Sequence, residues 1–234
     1  MGERLDKFLA SQGLGTRKEV GKLIRSGAVL VNGAPQRDPG AKVEPGADQV
    51  TAQGEEIRYQ EFLTIMLNKP AGVLSATEDR CQKTVLDLLP EGLRRRGLFP
   101  AGRLDKDTTG LLLITDDGEL AHKMLSPKSH VYKQYRAQLD APVEEADIQA
   151  FAAGVAWEGE QYAPARLWVE QDPRAAFVEI REGRFHQVKR MFQARGKTVL
   201  QLKRLKIGGL WLDSTLQEGE CRLLTPQEIQ AIFH

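Results

Sequence analysis

The stretch from Gly102 to Gly118 constrains this chain more than any other: Gly-Arg-Leu-Asp-Lys-Asp-Thr-Thr-Gly-Leu-Leu-Leu-Ile-Thr-Asp-Asp-Gly. A strand ends at Arg103, a polar turn follows with two aspartates and two threonines, and an apolar strand with the composition of a buried one starts at Leu111. A turn of this kind between two strands is suited to projecting a carboxylate from a rigid sheet into a cleft. Composition alone equally allows the aspartates to cap their own backbone. Asp105-Lys106-Asp107 is not read as a Mg²⁺ site, because no further carboxylate or histidine arrangement supports a metal, and none is expected.

Around this segment, strands and helices alternate irregularly. Periodicity predicts strands over 62–67, 98–103, 111–115, 134–139, 165–170, 176–180 and 198–207, and helices over 84–89, 119–125, 144–151, 186–194 and 226–233. Thr225-Pro226 supplies an N-cap followed by proline at the first helical position. Strands outnumber helices, so the fold class expected is α+β with a mixed, mostly antiparallel sheet and flanking helices. The 234 residues suffice for one large domain or two modest ones, at about 100–200 residues per domain. Hydrophobic residues at 41% and charged residues at 28% exclude a disordered or collagen-like chain. No apolar stretch approaches the roughly 18 residues of a membrane span, and residues 1–13, charged from Glu3 onward, lack the core of a secretory signal. A cytoplasmic location and no membrane partner are expected. Cys81 and Cys221 lie too far apart in sequence to suggest a disulfide framework or a metal cluster.

Residues 1–60 read as a small domain of their own, with 61–234 as the second. Leu5, Phe8 and Leu9 share one helical face, and Val20, Leu23 and Ile24 repeat the pattern after Gly13-Leu14-Gly15. Thr16 with Glu19 forms a capping-box pattern, and Ala28-Val29-Leu30-Val31-Asn32-Gly33 is a β-rich run closed by a turn signal. The polar stretch 47–58 and the apolar run opening at Phe62 put the boundary at Gln60-Glu61. Overall charge is only +1, so any nucleic-acid affinity must come from local patches. Residues 1–30 carry such a patch: Arg4, Lys7, Arg17, Lys18, Lys22 and Arg25 against Glu3, Asp6 and Glu19. Charge alone would also fit a solvated helix face. The same two readings, phosphate contact or solvated run, apply to Arg94-Arg95-Arg96.

The two helices, the loop and Val29-Leu30-Val31-Asn32-Gly33 together resemble the S4 RNA-binding domain, whose helices form a basic surface for structured RNA. Gly102-Arg103-Leu104-Asp105 followed by Asp107-Thr108-Thr109-Gly110-Leu111-Leu112-Leu113 resembles the signature of RNA pseudouridine synthases, in particular the RsuA family that acts on ribosomal RNA. Leu67-Asn68-Lys69-Pro70-Ala71-Gly72-Val73, Lys133-Gln134-Tyr135 and Gly183-Arg184-Phe185-His186-Gln187-Val188-Lys189-Arg190 resemble that family's further motifs, in order, so the resemblance covers essentially the whole chain.

The resemblance implies isomerisation of uridine to pseudouridine. Nothing is oxidised or hydrolysed in that reaction, so no cofactor is required. It assigns Asp105 as the carboxylate that attacks C1′ or removes the 2′ proton, with Asp107 holding the turn. Lys189 is implied as the cation that keeps Asp105 ionised, although spacing alone would equally place it on a solvated helix. Gly183 is expected to give a tight entry to that helix, whose N–H groups with Arg184 could attract phosphate. Tyr135, on the same strand face as Lys133, reads on period alone as a half-buried aromatic; the resemblance implies that it stacks on uracil. Arg103, Leu104, Arg184 and Val188 are implied to face the substrate, with Arg103 filling the stack vacated by a flipped base. His186 is expected to be satisfied structurally. Ile207-Gly208-Gly209 and Ser126-Pro127 look most like the small-subunit (16S) branch. The partner implied is ribosomal RNA, free or in an assembly intermediate, and the chain is expected to be a monomer. The alternatives left open are a large-subunit (23S) enzyme and a non-catalytic ribosome-assembly protein.

Overall fold

The computed structural model describes residues 2–57, 59–95 and 97–234, so Arg96 of the triple-arginine run lies outside the described residues. The chain divides into two compact units, Met1–Leu63 with Leu89–Leu98, and Thr64–Leu88 with Phe99–His234.

In the first unit, helices Leu5–Ser11 and Arg17–Ser26 pack beside a sheet ordered Ala34–Pro35, Val29–Val31, Val50–Ala52, Glu55–Ile57. The expected capping box starts the second helix: the Glu19 N–H donates to Thr16 Oγ1 and the Thr16 N–H donates to Glu19 Oε2. Gly27, left-handed at φ 81°, ends it. Leu5, Phe8, Leu9, Val20, Ile24, Val29 and Val50 form the core, so the apolar stripes read from the sequence face one another. The unit differs from a single cut at residue 60 by taking in Leu89–Leu98. Arg95 is a cause: its guanidinium donates to the carbonyls of Ser11, Gln60 and Glu61 at 3.3, 3.0 and 2.9 Å.

The second unit is built on a sheet ordered Arg166–Val169, Ala175–Ile180, Lys133–Leu139, Val199–Ile207, Thr109–Thr115, Thr64–Lys69, Cys221–Leu223. Its neighbours are antiparallel except for Val199–Ile207 against Thr109–Thr115. Leu111 to Ile114 and Ile65 to Leu67 are buried throughout, which explains their unbroken apolar character. Leu111 and Leu113 join Met66, Met124, Val131, Ile207 and Ile232 in one core cluster. The parallel strands meet where Gly110 faces Arg204, and a Cβ on Gly110 would stand 2.2 Å from the Arg204 carbonyl oxygen.

Two expected elements shrink. The helix over 84–89 is a 3₁₀ turn, Val85–Leu88, preceded by Thr84, whose N–H and hydroxyl both bind the Asp87 carboxylate. The strand over 98–103 is only Phe99–Pro100, since Pro100 has no N–H to offer and Gly102 turns the chain at φ 94°. The other predicted elements form within a few residues of their expected ends.

Candidate active site

The turn after Gly102 is fixed from beneath by a buried lysine. Lys69, with no exposed surface, ends the strand Thr64–Lys69 and donates to the carbonyls of Pro70, Asp105, Lys106 and Thr108 at 3.0, 3.2, 3.3 and 3.0 Å. Burial lowers its pKa to about 8, with the charges of Asp107 and Asp105 acting in the opposite direction. Ser75 adds a second clamp, donating to the Leu104 carbonyl at 2.8 Å and accepting from its N–H at 3.1 Å. The Thr108 N–H closes the turn on the Asp105 carbonyl at 3.1 Å. With its backbone held this way, the Asp105 side chain points into a cleft of about 530 Å³.

Lys189, from helix Gln187–Gln193, lies 3.1 Å from Asp105 Oδ2 and 2.6 Å from Asp107 Oδ1. The Lys189 side chain is 21% exposed and that of Asp105 24%, so the pair is partly sheltered, whereas Asp107 is 75% exposed. Burial acts to lower the Lys189 pKa, but its hydrogen bonds and charge interactions with Asp107 and Asp105 outweigh this and raise it. The same hydrogen bond holds the Asp107 carboxyl below the usual carboxylate range. Asp107 therefore shares the lysine with Asp105, a role different from the turn-holding one expected for it; Lys69, Ser75 and the Thr108 N–H do that work.

The left-handed residue at the entry to this helix is His186, at φ 53°, not Gly183. That conformation stacks its ring on Phe185, with centroids 3.8 Å apart, and brings Nε2 to 3.6 Å from Asp105 Oδ1. Gln187, buried, accepts from the Arg184 N–H and donates to Glu182, ordering the approach. Arg184 donates to the Gln161 carbonyl at 2.9 Å while lining the cleft.

Leu104 and Val188, both buried, line the cleft with exposed Arg103. Lys133 and Tyr135 reach it from alternate positions of the strand Lys133–Leu139, both more than nine-tenths buried. Arg204 approaches from the adjacent strand, donating Nε to the Leu111 carbonyl at 2.7 Å and Nη1 to Tyr135 Oη at 3.5 Å. Asp105, Tyr135, Arg103, Leu104, Arg184 and Val188 thus line one cleft, with Lys189 ion-paired to Asp105. Ser75 and Arg204 escaped the sequence reading and Lys69 entered it only within a motif, without a task, because the partners that give each of them one are distant in the chain.

The basic residues of the first unit are less uniform than their sequence suggests. Arg4 and Arg17 lie 2.9 and 3.0 Å from Asp6, whose pKa falls to about 2, chiefly through the Arg4 hydrogen bond. Lys7 pairs with Glu3 at 2.7 Å, whereas Lys18, Lys22 and Arg25 stand exposed on the helix surface.

Residues 63–194 match the RNA pseudouridylate synthase family model. The chain belongs to the RNA pseudouridylate synthase family. As a member it is an enzyme, an isomerase that converts uridine to pseudouridine in RNA, and residues 3–48 match the S4 domain. It is 46% identical over 233 residues to the uncharacterized RNA pseudouridine synthase YtzG of Bacillus subtilis (strain 168), covering 98% of each chain. It is 42% identical over 232 residues to the ribosomal small subunit pseudouridine synthase A of Escherichia coli (strain K12), covering 98% of this chain and 99% of that one. A crystal structure described as a pseudouridylate synthase superposes with a TM-score of 0.68 at 40% identity, covering 98% of this chain and 99% of the other. The N-terminal S4 domain and the α+β sheet that follows it agree with the fold read from the sequence. Among the described residues, no helix is long and apolar enough to cross a membrane.

Proposed function

We propose that this synthase isomerises one uridine of the small-subunit (16S) ribosomal RNA, with Asp105 as the reacting carboxylate, Lys189 as its counter-ion and Tyr135 against the uracil. The observation that carries the reading is the Asp105 carboxylate, clamped by its backbone, ion-paired at 3.1 Å to Lys189 and open to a cleft of one nucleoside's scale. An ionised carboxylate can bond to C1′ as the N1–C1′ bond breaks, or take the 2′ proton. The uracil then turns and C5 bonds to C1′, either as the Asp105–C1′ bond breaks and frees the carboxylate or as Asp105 returns the proton to C2′; the C5 proton leaves and N1 gains one. Atoms and electrons balance without an oxidant or a water molecule. Leu104 and Val188 supply apolar walls, Arg184 and Arg103 line the approach, and Arg103 fills the stack that a flipped base vacates.

Lys18, Lys22 and Arg25 of the S4 domain supply phosphate contacts, with Arg4, Lys7 and Arg17 adding field while bound to their own carboxylates. The small-subunit assignment draws on the names of relatives more than 40% identical over the full chain. Action on free 16S RNA or on an assembly intermediate, in the cytoplasm and as a monomer, belongs to the same reading. Mapping pseudouridines in total ribosomal RNA from cells lacking the protein tests it. One site lost from 16S RNA is expected. A site lost from 23S RNA would redirect the assignment, and an unchanged map would remove ribosomal RNA as the substrate.

A further inference from the structure

The mechanism above leaves two cations in the cleft without a task. Lys133 and Arg204 are 6% and 5% exposed, and both line it. They stand on neighbouring antiparallel strands, where Tyr135 pairs with Arg204 in register. Among the described residues neither forms an ion pair, and the charge acting most directly on Lys133 is Arg204, a second cation. Two of the Arg204 nitrogens are taken, by the Leu111 carbonyl and by Tyr135 Oη, while Nη2 is buried with no hydrogen-bond partner in the protein. The carboxylate that shares the cleft, Asp105, is held by Lys189.

Burying cations without counter-charge costs folding free energy, and a buried donor without an acceptor adds to that cost. Such an arrangement favours an occupant that brings negative charge to this wall. RNA phosphates dock on exposed cations that position the polymer, whereas these two lie beside the tyrosine read as the uracil contact. Uridine itself is neutral. Its base becomes an anion when the N1–C1′ bond breaks and both electrons remain on N1, with the charge spread to O2 and O4. That anion forms whether Asp105 bonds to C1′ or takes the 2′ proton.

We propose that the Lys133 ammonium binds a carbonyl oxygen of the uracil and, with the buried charge of Arg204 behind it, stabilises the anion released on glycosidic cleavage. Because the charge appears only as the bond breaks, the interaction strengthens toward the transition state and raises the rate more than the affinity. When C5 bonds to C1′ and loses its proton, and N1 takes one, the base is neutral again and the pair releases it. The inference rests on the reading of this cleft as the uridine site.

The test uses a leaving group of altered acidity. Target RNA carrying uridine or 5-fluorouridine at the modified position is consumed under single-turnover conditions by the full-length parent, Lys133→Met and Lys133→Gln. 5-Fluorouracil is the more acidic base and depends less on outside stabilisation. The expected result is a uridine rate about 100-fold lower in both variants, a clearly smaller loss for 5-fluorouridine, and RNA affinity within about threefold of the parent. The melting temperature should not fall for Lys133→Met, since an unmatched buried charge is removed. Equal losses on both bases, or unchanged rates with weaker, less salt-dependent binding, would overturn the inference; the latter marks a phosphate contact. Asp105→Asn run alongside separates the two readings. If it retains turnover, the reading of the cleft itself fails, whereas an inactive Asp105→Asn beside fully active Lys133 variants removes only the anion role.

Discussion

Lys189→Met removes one charge from the centre of the site with little change in volume. In the parent, Nζ lies 3.1 Å from Asp105 and 2.6 Å from Asp107, with the Asp105 and Lys189 side chains each about three-quarters or more sheltered. Two unit charges about 4 Å apart interact by about 4 kcal/mol at an effective dielectric of about 20. Partial exposure and sharing between two carboxylates reduce what Asp105 alone gains to about 1.4–2.8 kcal/mol. If that interaction keeps Asp105 ionised and aimed, its loss slows the single-turnover rate by about 10–100-fold. Affinity for the RNA should change by less than about threefold, because Lys189 is occupied by aspartates and not by phosphate. Rates at saturating enzyme and binding isotherms on the same RNA give both quantities. Asp107→Asn, which leaves Lys189 to Asp105 alone, should lie within about threefold of the parent rate, since it removes only the exposed competitor. An unchanged rate with weakened binding in Lys189→Met would refute the reasoning and make the lysine an RNA contact.

Asp147, 1% exposed, lies 2.7 Å from Lys197 and 3.0 Å from Arg195 and accepts from the Glu144 N–H. Burial acts to raise its pKa, but Lys197, the Glu144 N–H and Arg195 together lower it, so its stabilisation is present above the ordinary carboxylate range and is lost as pH falls through the lowered value. Asp147→Asn should cost about 3–5 kcal/mol at pH 7 by urea denaturation and less in strong acid; a gap that widens in acid would reverse the sign. Gly110→Ala should cost about 2–4 kcal/mol, through φ 98° and the clash with the Arg204 carbonyl, against about 1 kcal/mol for Gly33→Ala, which meets nothing within 4 Å. Melting curves of the two variants would compare them, and equal costs would count against the close strand approach. Replacing Lys18, Lys22 and Arg25 with glutamine, while sparing the Asp6-bound Arg17, should weaken RNA binding and flatten its salt dependence with the saturated rate retained. An unaltered salt slope would mean that this face is only solvated.

Local signals were legible in the sequence wherever the structure satisfies them locally. The Thr16–Glu19 capping box, the Thr225 N-cap with Pro226, the Leu111–Ile114 run and the apolar helix faces all appear where propensity and period put them. Asp105 and Lys189 were paired through motif resemblance, since 84 positions separate them in the chain and no period relates them. Lys69 shows why the remainder was hidden: it stands in a motif without a task until four carbonyls, three of them from the distant turn, close around it. Arg204 was invisible for the same reason, its partners Leu111 and Tyr135 arriving from other strands. The tight entry expected at Gly183 is made by His186, left-handed at φ 53°, which stacks on Phe185 and lies 3.6 Å from Asp105. Segment Leu89–Leu98 joined the first unit through Arg95 contacts that no composition shift announces.

The account stands most directly on the charge of Asp105. Asn at this position keeps the shape of the side chain and removes the negative charge needed to bond to C1′ or to take the 2′ proton. Tritium release from RNA carrying 5-tritiated uridine reports turnover, because the C5 hydrogen leaves only when C5 has joined the sugar. With Asp105→Asn the release should fall to background at enzyme concentrations that saturate RNA binding, while affinity stays close to the parent's. Release at a rate near that of the parent would contradict the account and move the reacting group elsewhere in the cleft.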